Sequence, residues 1–267
     1  MKASYDLTLT ADVVETGLPE ITVTEDDSGS TGILLSTLWS QSGVLHVGSN
    51  TTIACNEYTP IDPTTSKHSV TGCTNTAAAQ IIHYFIEKGL LDLSLTLTAD
   101  DAYTSERGSV VISVKSDGST PGTISFAAVN NYLGNYSVDS AACAAALLYA
   151  CGVVQQADYS SAATSTAWSP ELFYRAGFQS ANRFIVWGTS KDYYWGTTDA
   201  SGNASISDAG FEVLIENLRA GRPVGASVPG HAVVIDGYDA ENDLFHINYG
   251  WGDRSSSTKW YTRKEMR

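Results

Sequence analysis

The sequence predicts an α+β fold in which a helix-rich first half is followed by a sheet-rich second half. Before residue 221, several segments have apolar residues at spacings of three and four, which is typical of helices packed on a core. After that point, short apolar runs are separated by turn residues, which is typical of an antiparallel meander. Helices first and strands last are the pattern of the α+β class.

Four segments carry helix start and stop signals. The run over 140–151 has small or apolar side chains on nearly every side, so it is predicted to be a buried helix that ends at Gly152. Serine caps, a proline at the first helical position and terminal glycines mark the other ends. The predicted helices cover Cys73 to Gly89, 140–151, 169–178 and 207–220.

Strands are predicted both between and after these helices. Residues 110–126 are predicted to be two strands joined by a loop that contains Asp-Gly. The meander is predicted from the segments PVGASV, HAVVIDGY, LFHINYGW and STKWYTR. A joint near residues 130–140 or near residue 200 could divide the chain, but we expect both halves to share one core.

Residues 1–31 are predicted to be an N-terminal arm, and residues 32–267 are predicted to be one domain. The arm alternates apolar and polar residues and ends in EDDSGSTG, which indicates edge strands followed by a flexible joint. It contains no apolar segment of the kind found in signal peptides. The protein is therefore either cytosolic or was separated from its signal, and its acidic, Ser/Thr/Gly-rich composition favours secretion.

Composition and motifs argue against several kinds of partner. The net charge of −14 would repel the phosphates of a nucleic acid. No apolar run approaches the roughly 20 residues that a membrane span needs. The sequence has no CxxC, HExxH or EF-hand pattern, so we expect no metal site.

The segment HSVTGCTNTAAAQIIHYF, residues 68–85, places Cys73 at the start of the first predicted helix. The positive end of the helix dipole favours the thiolate, which is the nucleophilic form of cysteine. Gly72 permits a tight turn and leaves the sulfur unshielded. Taken alone, a cysteine in this position is more often a small buried hydrophobic residue.

A cysteine nucleophile needs a base, and His231 is the best candidate among the five histidines. It follows Gly230 and opens a predicted strand, where its ring could face a cleft. Asn248 lies on the expected neighbouring strand and could accept a bond from the ring, which would fix the tautomer. Trp251 or Tyr249 could cover the ring. An isolated histidine at a strand start is more often structural.

The side-chain amide of Gln41 could stabilise an oxyanion together with the backbone N–H of Cys73. The order Gln41, Cys73, His231, Asn248 resembles that of papain-fold cysteine peptidases, and the local sequence is similar to the streptopain family of bacterial secreted cysteine peptidases. The similar segments run from about residue 33 to residue 252. They are LLSTLWSQSG, HSVTGCTNTAAAQIIHY, LLYACGVVQQADYSSAATS and LRAGRPVGASVPGHAVVIDGYDAENDLFHINYGWGD.

The resemblance implies a papain-like fold with the active-site cleft between the helical half and the β half. It implies endopeptidase cleavage of proteins or peptides through a thioester acyl-enzyme, without a metal or organic cofactor. It also implies secretion and an inhibitory pro-segment, of which the arm could be a remnant. The implied roles are nucleophile for Cys73, general base and acid for His231, orienting group for Asn248, oxyanion donor for Gln41, and site lining for Trp251, Tyr249, Gly72 and Gly230.

Two departures from the family pattern lie beside the expected site. Tyr249 stands where the family usually has tryptophan, and Asp253 replaces a glycine. Two other functions remain open at this point. The same Cys-His-Asn frame could serve an acyl transferase or amidase, since fold does not determine the acceptor. A catalytically silent binding or adhesion module is the other alternative.

Overall fold

The computed structural model describes residues 29–45, 52–178, 196–198, 204–206, 208–228, 230–252 and 258–266. The predicted arm up to residue 28, the predicted cap Ser207 and the departure at Asp253 lie outside these ranges. Among the described residues, the α-helices all lie before residue 221, and the antiparallel meander lies after it. The α+β class and the division into a helical half and a β half are therefore confirmed.

The helical half is built around a buried pair of helices, α1 and α3. Both are made largely of alanine and other small or apolar residues, which lets their backbones approach closely. Ser140 caps α3 by accepting a bond from the backbone N–H of Cys143, at 3.3 Å. The α-helices are α1 (Cys73–Glu87), α2 (Phe126–Gly134), α3 (Ala141–Val154), α4 (Pro170–Ala176) and α5 (Asp208–Arg219).

Two of the helix predictions differ from the structure in detail. The buried helix α3 continues through Gly152 to Val154, because helical glycine is tolerated here and the hydroxyl of Tyr159 fills the place a side chain would take. Helix α2 was not predicted and occupies part of the suggested joint at 130–140. Its start is marked by Ser125, whose hydroxyl accepts a bond from the N–H of Ala128 at 3.2 Å.

The prediction of two strands within residues 110–126 is wrong. Val110–Val114 is a strand, but it pairs with Tyr103–Arg107, which precedes it. The Asp-Gly pair lies after this hairpin, in the turn that leads into α2. The apolar alternation of residues 110–114 correctly indicated a strand. Residues 103–107 are too polar for the sequence pattern to identify them as its partner strand.

The strands of the described residues form a central sheet and several two-stranded ribbons. They are β1 (Gly32–Ile33), β2 (Val44–Leu45), β3 (Ile53–Ala54), β4 (Ile61–Asp62), β5 (Lys67–His68), β6 (Tyr103–Arg107), β7 (Val110–Val114), β8 (Gly196–Thr198), β9 (Ala204–Ile206), β10 (Val224–Val228), β11 (His231–Asp239), β12 (Leu244–Asn248) and β13 (Thr258–Thr262).

The central sheet is an antiparallel meander, as predicted. Strand β11 pairs with β10 and with β12, and β12 pairs with β13. The register places His231 opposite Val228 and Asn248 opposite Val234. Strand β1 adds to the far end of β11. Thr31, at the end of the predicted arm, joins the sheet through a bond from its backbone N–H to the carbonyl of Tyr238, at 2.9 Å.

Two apolar clusters form the core. The larger one contains α1, α3 and their neighbours and includes Val234 of the sheet, and the smaller one lies between α5 and the other side of the sheet. Polar bonds also join the halves. The hydroxyl of Tyr84 on α1 donates to the carbonyl of Gly221 at 2.9 Å, and the indole N–H of Trp168 donates to Ser227 at 3.1 Å. Within the described residues, no helix has the length and apolar character needed to cross a bilayer.

Candidate active site

Cys73 is the first residue of α1, as predicted, and its side chain is half-buried. Gly72 precedes it with φ of 92°, a backbone conformation that favours glycine. No side chain caps this helix end, and no acidic residue lies in its first turn. The free backbone N–H groups therefore point toward the region of the sulfur, where they favour negative charge.

Cys73 and His231 lie against each other and shift each other's pKa in opposite directions. Burial of the sulfur opposes ionisation, but hydrogen bonding to His231, the N–H of Ala232 and the charge of His231 outweigh it, so the pKa of Cys73 is lowered. Burial likewise disfavours the charged ring of His231, yet the bond to Cys73 and a bond to the carbonyl of Tyr249 raise its pKa. Opposed shifts of this kind favour a thiolate beside an imidazolium.

The ring of His231 is oriented by a main-chain atom. Its Nε2 lies 2.8 Å from the carbonyl oxygen of Tyr249. A carbonyl oxygen only accepts hydrogen bonds, so Nε2 must carry a proton. The other ring nitrogen, Nδ1, is thereby left to exchange a proton with Cys73.

Asn248 does not make the predicted bond to His231. Its amide nitrogen donates to the carbonyl of Thr37 at 3.0 Å, and its amide oxygen accepts from the N–H of Gly250 at 2.9 Å. The reason is the strand register. Asn248 lies opposite Val234, which is three residues along β11 from His231 and belongs to the apolar cluster around α1. The side chain of Asn248 thus faces α1, and the expectation that it orients the ring is corrected.

Gln41 lies beside the start of α1. Its carbonyl accepts a bond from the backbone N–H of Thr71 at 2.9 Å and another from the hydroxyl of Thr71 at 3.2 Å. Gln41 therefore contacts Thr71, which lies two residues before Cys73. The side-chain amide of Gln41 has no hydrogen-bond partner among the described residues, so its N–H groups are available to a substrate.

Tyr249 and Trp251 form an aromatic wall on the His231 ring. The ring centroid of His231 lies 6.1 Å from that of Tyr249 with the planes nearly parallel, and 5.2 Å from that of Trp251. Trp251 remains 39% exposed, so it can contact a bound molecule. Its backbone forms an isolated bridge with Ser40, which joins the wall to the segment that carries Gln41.

The two predicted site glycines differ in what surrounds them. A Cβ at Gly72 would lie 3.1 Å from the methyl group of Thr164, so this position is crowded as well as left-handed. Gly230 also has a positive φ, of 73°, but has nothing within 4 Å of where a Cβ would lie. Gly72 is therefore needed for packing at the cysteine, whereas Gly230 only serves the turn before His231.

Sequence reasoning missed a buried polar network under the cysteine. The amide of Asn75, fully buried, donates to the carbonyl of Thr71 at 2.6 Å and accepts from the amide of Gln155 at 2.8 Å. Gln155 in turn accepts from the backbone N–H of Ser169 at 2.9 Å. The amides of Asn75 in α1 and Gln155 at the end of α3 are the signal that could have revealed it, since buried polar groups need partners.

The described residues contain no group of histidine, cysteine and carboxylate side chains that could bind a metal ion. The three other cysteines, Cys55, Cys143 and Cys151, are buried and unpaired with one another. The chemistry that the arrangement can support is therefore that of a thiol with an adjacent oriented imidazole and an amide donor.

Comparison with known proteins gives two groups of similar proteins. Streptopain of Streptococcus pyogenes serotype M1 is 27% identical over 191 residues, and streptopain of Streptococcus pyogenes is 28% identical over 202 residues. Each alignment covers 70% of this chain but only 44% of the relative, so the chain spans less than half the length of these relatives.

The second group consists of solved structures of proteins from Prevotella intermedia. A prointerpain A fragment has a TM-score of 0.49 at 22% identity, covering 90% of this chain and 68% of its own. The active interpain A cysteine protease has a TM-score of 0.48 at 20% identity, covering 91% of this chain and 89% of its own. The sequence model of the Peptidase C10 family matches residues 50–261, which is most of the chain and includes Cys73, His231 and Tyr249. The chain belongs to the Peptidase C10 family.

Proposed function

We propose that this protein is a cysteine endopeptidase that hydrolyses peptide bonds through a thioester formed on Cys73. The observation that carries the proposal is the contact of Cys73, at the start of α1, with a His231 ring that the Tyr249 carbonyl orients, in a chain that belongs to the Peptidase C10 family. The pKa of Cys73 is lowered and that of His231 is raised by this contact. A lowered cysteine pKa provides the nucleophile, and a raised histidine pKa provides the acid that the leaving group needs.

In the first half of the reaction, the thiolate of Cys73 attacks the carbonyl carbon of the peptide bond. The oxyanion that forms accepts hydrogen bonds from the side-chain amide of Gln41 and from the backbone N–H of Cys73. His231 then gives the proton on Nδ1 to the leaving amine, the C–N bond breaks, and the acyl group stays on the sulfur. The carbonyl of Tyr249 holds the ring in place throughout.

In the second half, neutral His231 takes a proton from water, and the resulting hydroxide attacks the thioester. The C–S bond breaks, the acid product leaves, and the thiolate–imidazolium pair is restored. Asn248 takes no direct part, because its side chain faces α1. An amine in place of water would make the same frame an acyl transferase, and mass spectrometry of the products distinguishes new carboxylates from new amide bonds.

The substrates we propose are proteins or peptides bound in extended form beside Trp251, whose partly exposed ring offers a flat contact. We also propose that the protein is secreted and is made with an inhibitory pro-segment. The support for secretion is the acidic, Ser/Thr/Gly-rich composition, and the support for the pro-segment is the resemblance of the site segments to the streptopain family.

The first test replaces the nucleophile. Cys73→Ala is expected to abolish cleavage of an unfolded protein substrate, because no other described cysteine lies beside a histidine that raises its reactivity. Cys143→Ala is the control, since Cys143 is buried between α2 and α3, and it should retain activity. Cleavage by purified Cys73→Ala protein would contradict the assignment of the nucleophile.

The second test measures the pH dependence of alkylation by iodoacetamide, read for each cysteine by peptide mass spectrometry. The thiolate is the reactive form, so a lowered pKa means that Cys73 reacts at a pH below the ordinary cysteine value of about 8.5. Burial raises the pKa of Cys55 and of Cys151, so both should stay unlabelled in the same range. A Cys73 profile that rises only above about pH 8.5 would rule out the proposed ion pair.

A further inference from the structure

We propose that Gln80 is a positioning residue of this site. Its single side-chain oxygen holds two catalytic segments, the one that carries Gln41 and the end of β12 that leads to Tyr249, against the helix that begins at Cys73. This inference rests on the proposed function and adds to it a residue outside the groups that react.

The side-chain oxygen of Gln80 is a junction of three hydrogen bonds. Gln80 lies on α1 and is fully buried. Its Oε1 accepts from the hydroxyl of Thr37 at 3.0 Å, from the backbone N–H of Trp39 at 3.2 Å and from the amide of Asn248 at 3.4 Å. These donors come from two segments that are far apart in sequence from each other and from α1.

Two of the three donors lie within two residues of a group that the mechanism uses. Trp39 is two residues before Gln41, and its carbonyl accepts from the N–H of Gly252, next to Trp251. Asn248 directly precedes Tyr249, whose carbonyl orients the catalytic ring. A displacement at the junction would therefore move the oxyanion donor and the histidine acceptor together.

A second bond closes the junction into a ring. The amide nitrogen of Asn248 donates both to Gln80 and, at 3.0 Å, to the carbonyl of Thr37. The amide oxygen of Asn248 accepts from the N–H of Gly250, which fixes the turn after Tyr249. This arrangement explains how Asn248 can matter to the site without touching His231.

The chemistry of the donors fixes the orientation of the Gln80 amide. The N–H of Trp39 and the NH₂ of Asn248 can only donate, so the oxygen must face them. The amide nitrogen of Gln80 is buried and has no hydrogen-bond partner. The site thus uses the acceptor of Gln80 and not its donor. Buried donors without a partner are rare in proteins, so the bonds to the oxygen are the reason we give for a glutamine at this position.

This asymmetry yields a paired test. Gln80→Met keeps the length and helix propensity of the side chain but removes the acceptor. Gln80→Glu keeps a carbonyl oxygen at the same place. Because the position is fully buried, the new carboxyl group is expected to be protonated, with its O–H where the unpartnered N–H groups were. If Gln80 acts only through its oxygen, the glutamate variant should behave like the natural protein and the methionine variant should not.

Two readouts are measured on each variant, the pH midpoint of Cys73 alkylation and the kcat and KM for a peptide substrate. In Gln80→Met, loosening of the Tyr249 carbonyl weakens its support of the charged His231 ring, so the alkylation midpoint should move upward. Misalignment of the donors to the oxyanion should lower kcat about tenfold, which corresponds to the loss of one net hydrogen bond in the transition state. KM should stay within about twofold of its original value, because these donors act on the oxyanion and not on the bound substrate. In Gln80→Glu, both readouts should stay near their original values.

Asn130→Leu provides the control for a merely structural loss. Asn130 is also a helix amide whose oxygen accepts a backbone N–H, that of Leu97 at 2.8 Å, but it lies on α2 away from the site. This variant should lower Tm without moving the alkylation midpoint. If Gln80→Met also lowers Tm and leaves the midpoint unchanged, or if Gln80→Glu is impaired as strongly as Gln80→Met, the positioning role is overturned.

Two further outcomes remain decisive. If Gln80→Met does not fold, Thr37→Val removes one donor of the junction, and it should move the midpoint in the same direction by a smaller amount. An unchanged midpoint in that folded variant contradicts the proposal. If Cys73 of the natural protein is alkylated at low pH but the protein cleaves no peptide, the proposed function fails. The pH midpoints of Cys73 alkylation in the variants then decide the role of Gln80 alone.

Discussion

At the scale of single residues, the group that orients His231 is the main-chain carbonyl of Tyr249. A main-chain acceptor is retained whatever side chain follows Asn248, so the tyrosine that departs from the family pattern does not remove it. The side chain of Tyr249 contributes by packing on the rings of His231 and Trp251 and through its hydroxyl, which donates to that of Tyr261 at 3.0 Å.

This also explains how much of the site the sequence could predict. Cys73 and His231 could be proposed as a pair from the sequence, because a helix start and a strand start are local features with known consequences for a side chain. The direction of Asn248 could not, because it depends on the register between β11 and β12, where a change of one residue moves every side chain to the other face. A backbone carbonyl that accepts a hydrogen bond cannot be identified from the sequence, because every residue has one.

Gly72 provides a prediction at this scale. Gly72→Ala should lower the free energy of unfolding by about 2–3 kcal/mol, because the left-handed backbone is strained with a Cβ and Thr164 crowds it. The strain should also displace Cys73 and slow its alkylation at low pH. Urea unfolding and the alkylation assay measure the two effects.

Gly89→Ala is the matched control for Gly72→Ala. Gly89 also has a positive φ, of 68°, but nothing lies within 4 Å of where its Cβ would be. We expect only the backbone cost of about 1 kcal/mol and unchanged alkylation. Equal losses in the two variants would show that crowding by Thr164 has no role.

At the scale of elements, a buried contact between His246 and Asp236 anchors β1 to the central sheet. The ring of His246 on β12 lies 2.7 Å from the carboxylate of Asp236 on β11, and both side chains are buried. Asp236 stands at the irregularity between Ile235 and Gly237, where the ladder to β12 shifts register. Its second oxygen accepts from the backbone N–H of Leu35 at 3.2 Å, just after β1.

His246→Leu tests this anchor through its pH dependence. Burial raises the pKa of Asp236, so its charged form destabilises the folded state. Removing His246 leaves that charge with one donor and should cost about 3 kcal/mol near pH 7. Because the folded pKa is raised, the cost is absent below the unfolded pKa and grows as pH rises toward the folded pKa.

The difference in unfolding free energy between His246→Leu and the natural protein should therefore shrink as pH falls from about 7 to about 4, where the carboxyl group protonates. Urea titrations at several pH values measure it. Adding Asp236→Asn to the His246→Leu variant removes the buried charge. The double variant should regain much of the unfolding free energy that His246→Leu loses near neutral pH. A difference that does not change with pH would mean that only packing is lost.

The elements that the sequence predicted well have their signals within themselves. The helices α1, α3 and α4 show caps, small-residue faces or an N-terminal proline, and β10 to β13 are separated by clear turns. The hairpin of β6 and β7 was misassigned because its first strand is polar, with only Ser105 fully buried. A polar strand of this kind forms because it pairs with a neighbouring strand, and its own sequence does not show the apolar alternation that predicts strands.

At the scale of the whole molecule, the two apolar clusters share the central sheet, with Val234 in one cluster and Val233 and Ile235 in the other. Tyr84 and Trp168 make hydrogen bonds between the helical half and the β half, and α1 packs on β11. Val234 of the sheet belongs to the helical cluster, so neither half completes its core alone. We expect the described halves to unfold together.

Urea unfolding provides the measurement. The loss of helical circular dichroism and the loss of low-pH reactivity at Cys73 should have the same midpoint, because the pair forms only when both halves are docked. Tyr84→Phe should shift both curves together by about 1 kcal/mol, the value of one net hydrogen bond. Loss of Cys73 reactivity well before the helix signal would show that the halves separate first.

The bridging of Asn248 to Thr37 joins positions 211 residues apart in the chain. During synthesis, Cys73 leaves the ribosome long before the histidine, its main-chain acceptor and the tie to the Gln41 segment exist. A nascent chain thus carries an ordinary thiol, and the proposed thiolate–imidazolium pair can form only after the segment from His231 to Tyr249 has been added. Under the proposed function, the order of translation would protect the producing cell from cleavage by unfinished copies of the protein.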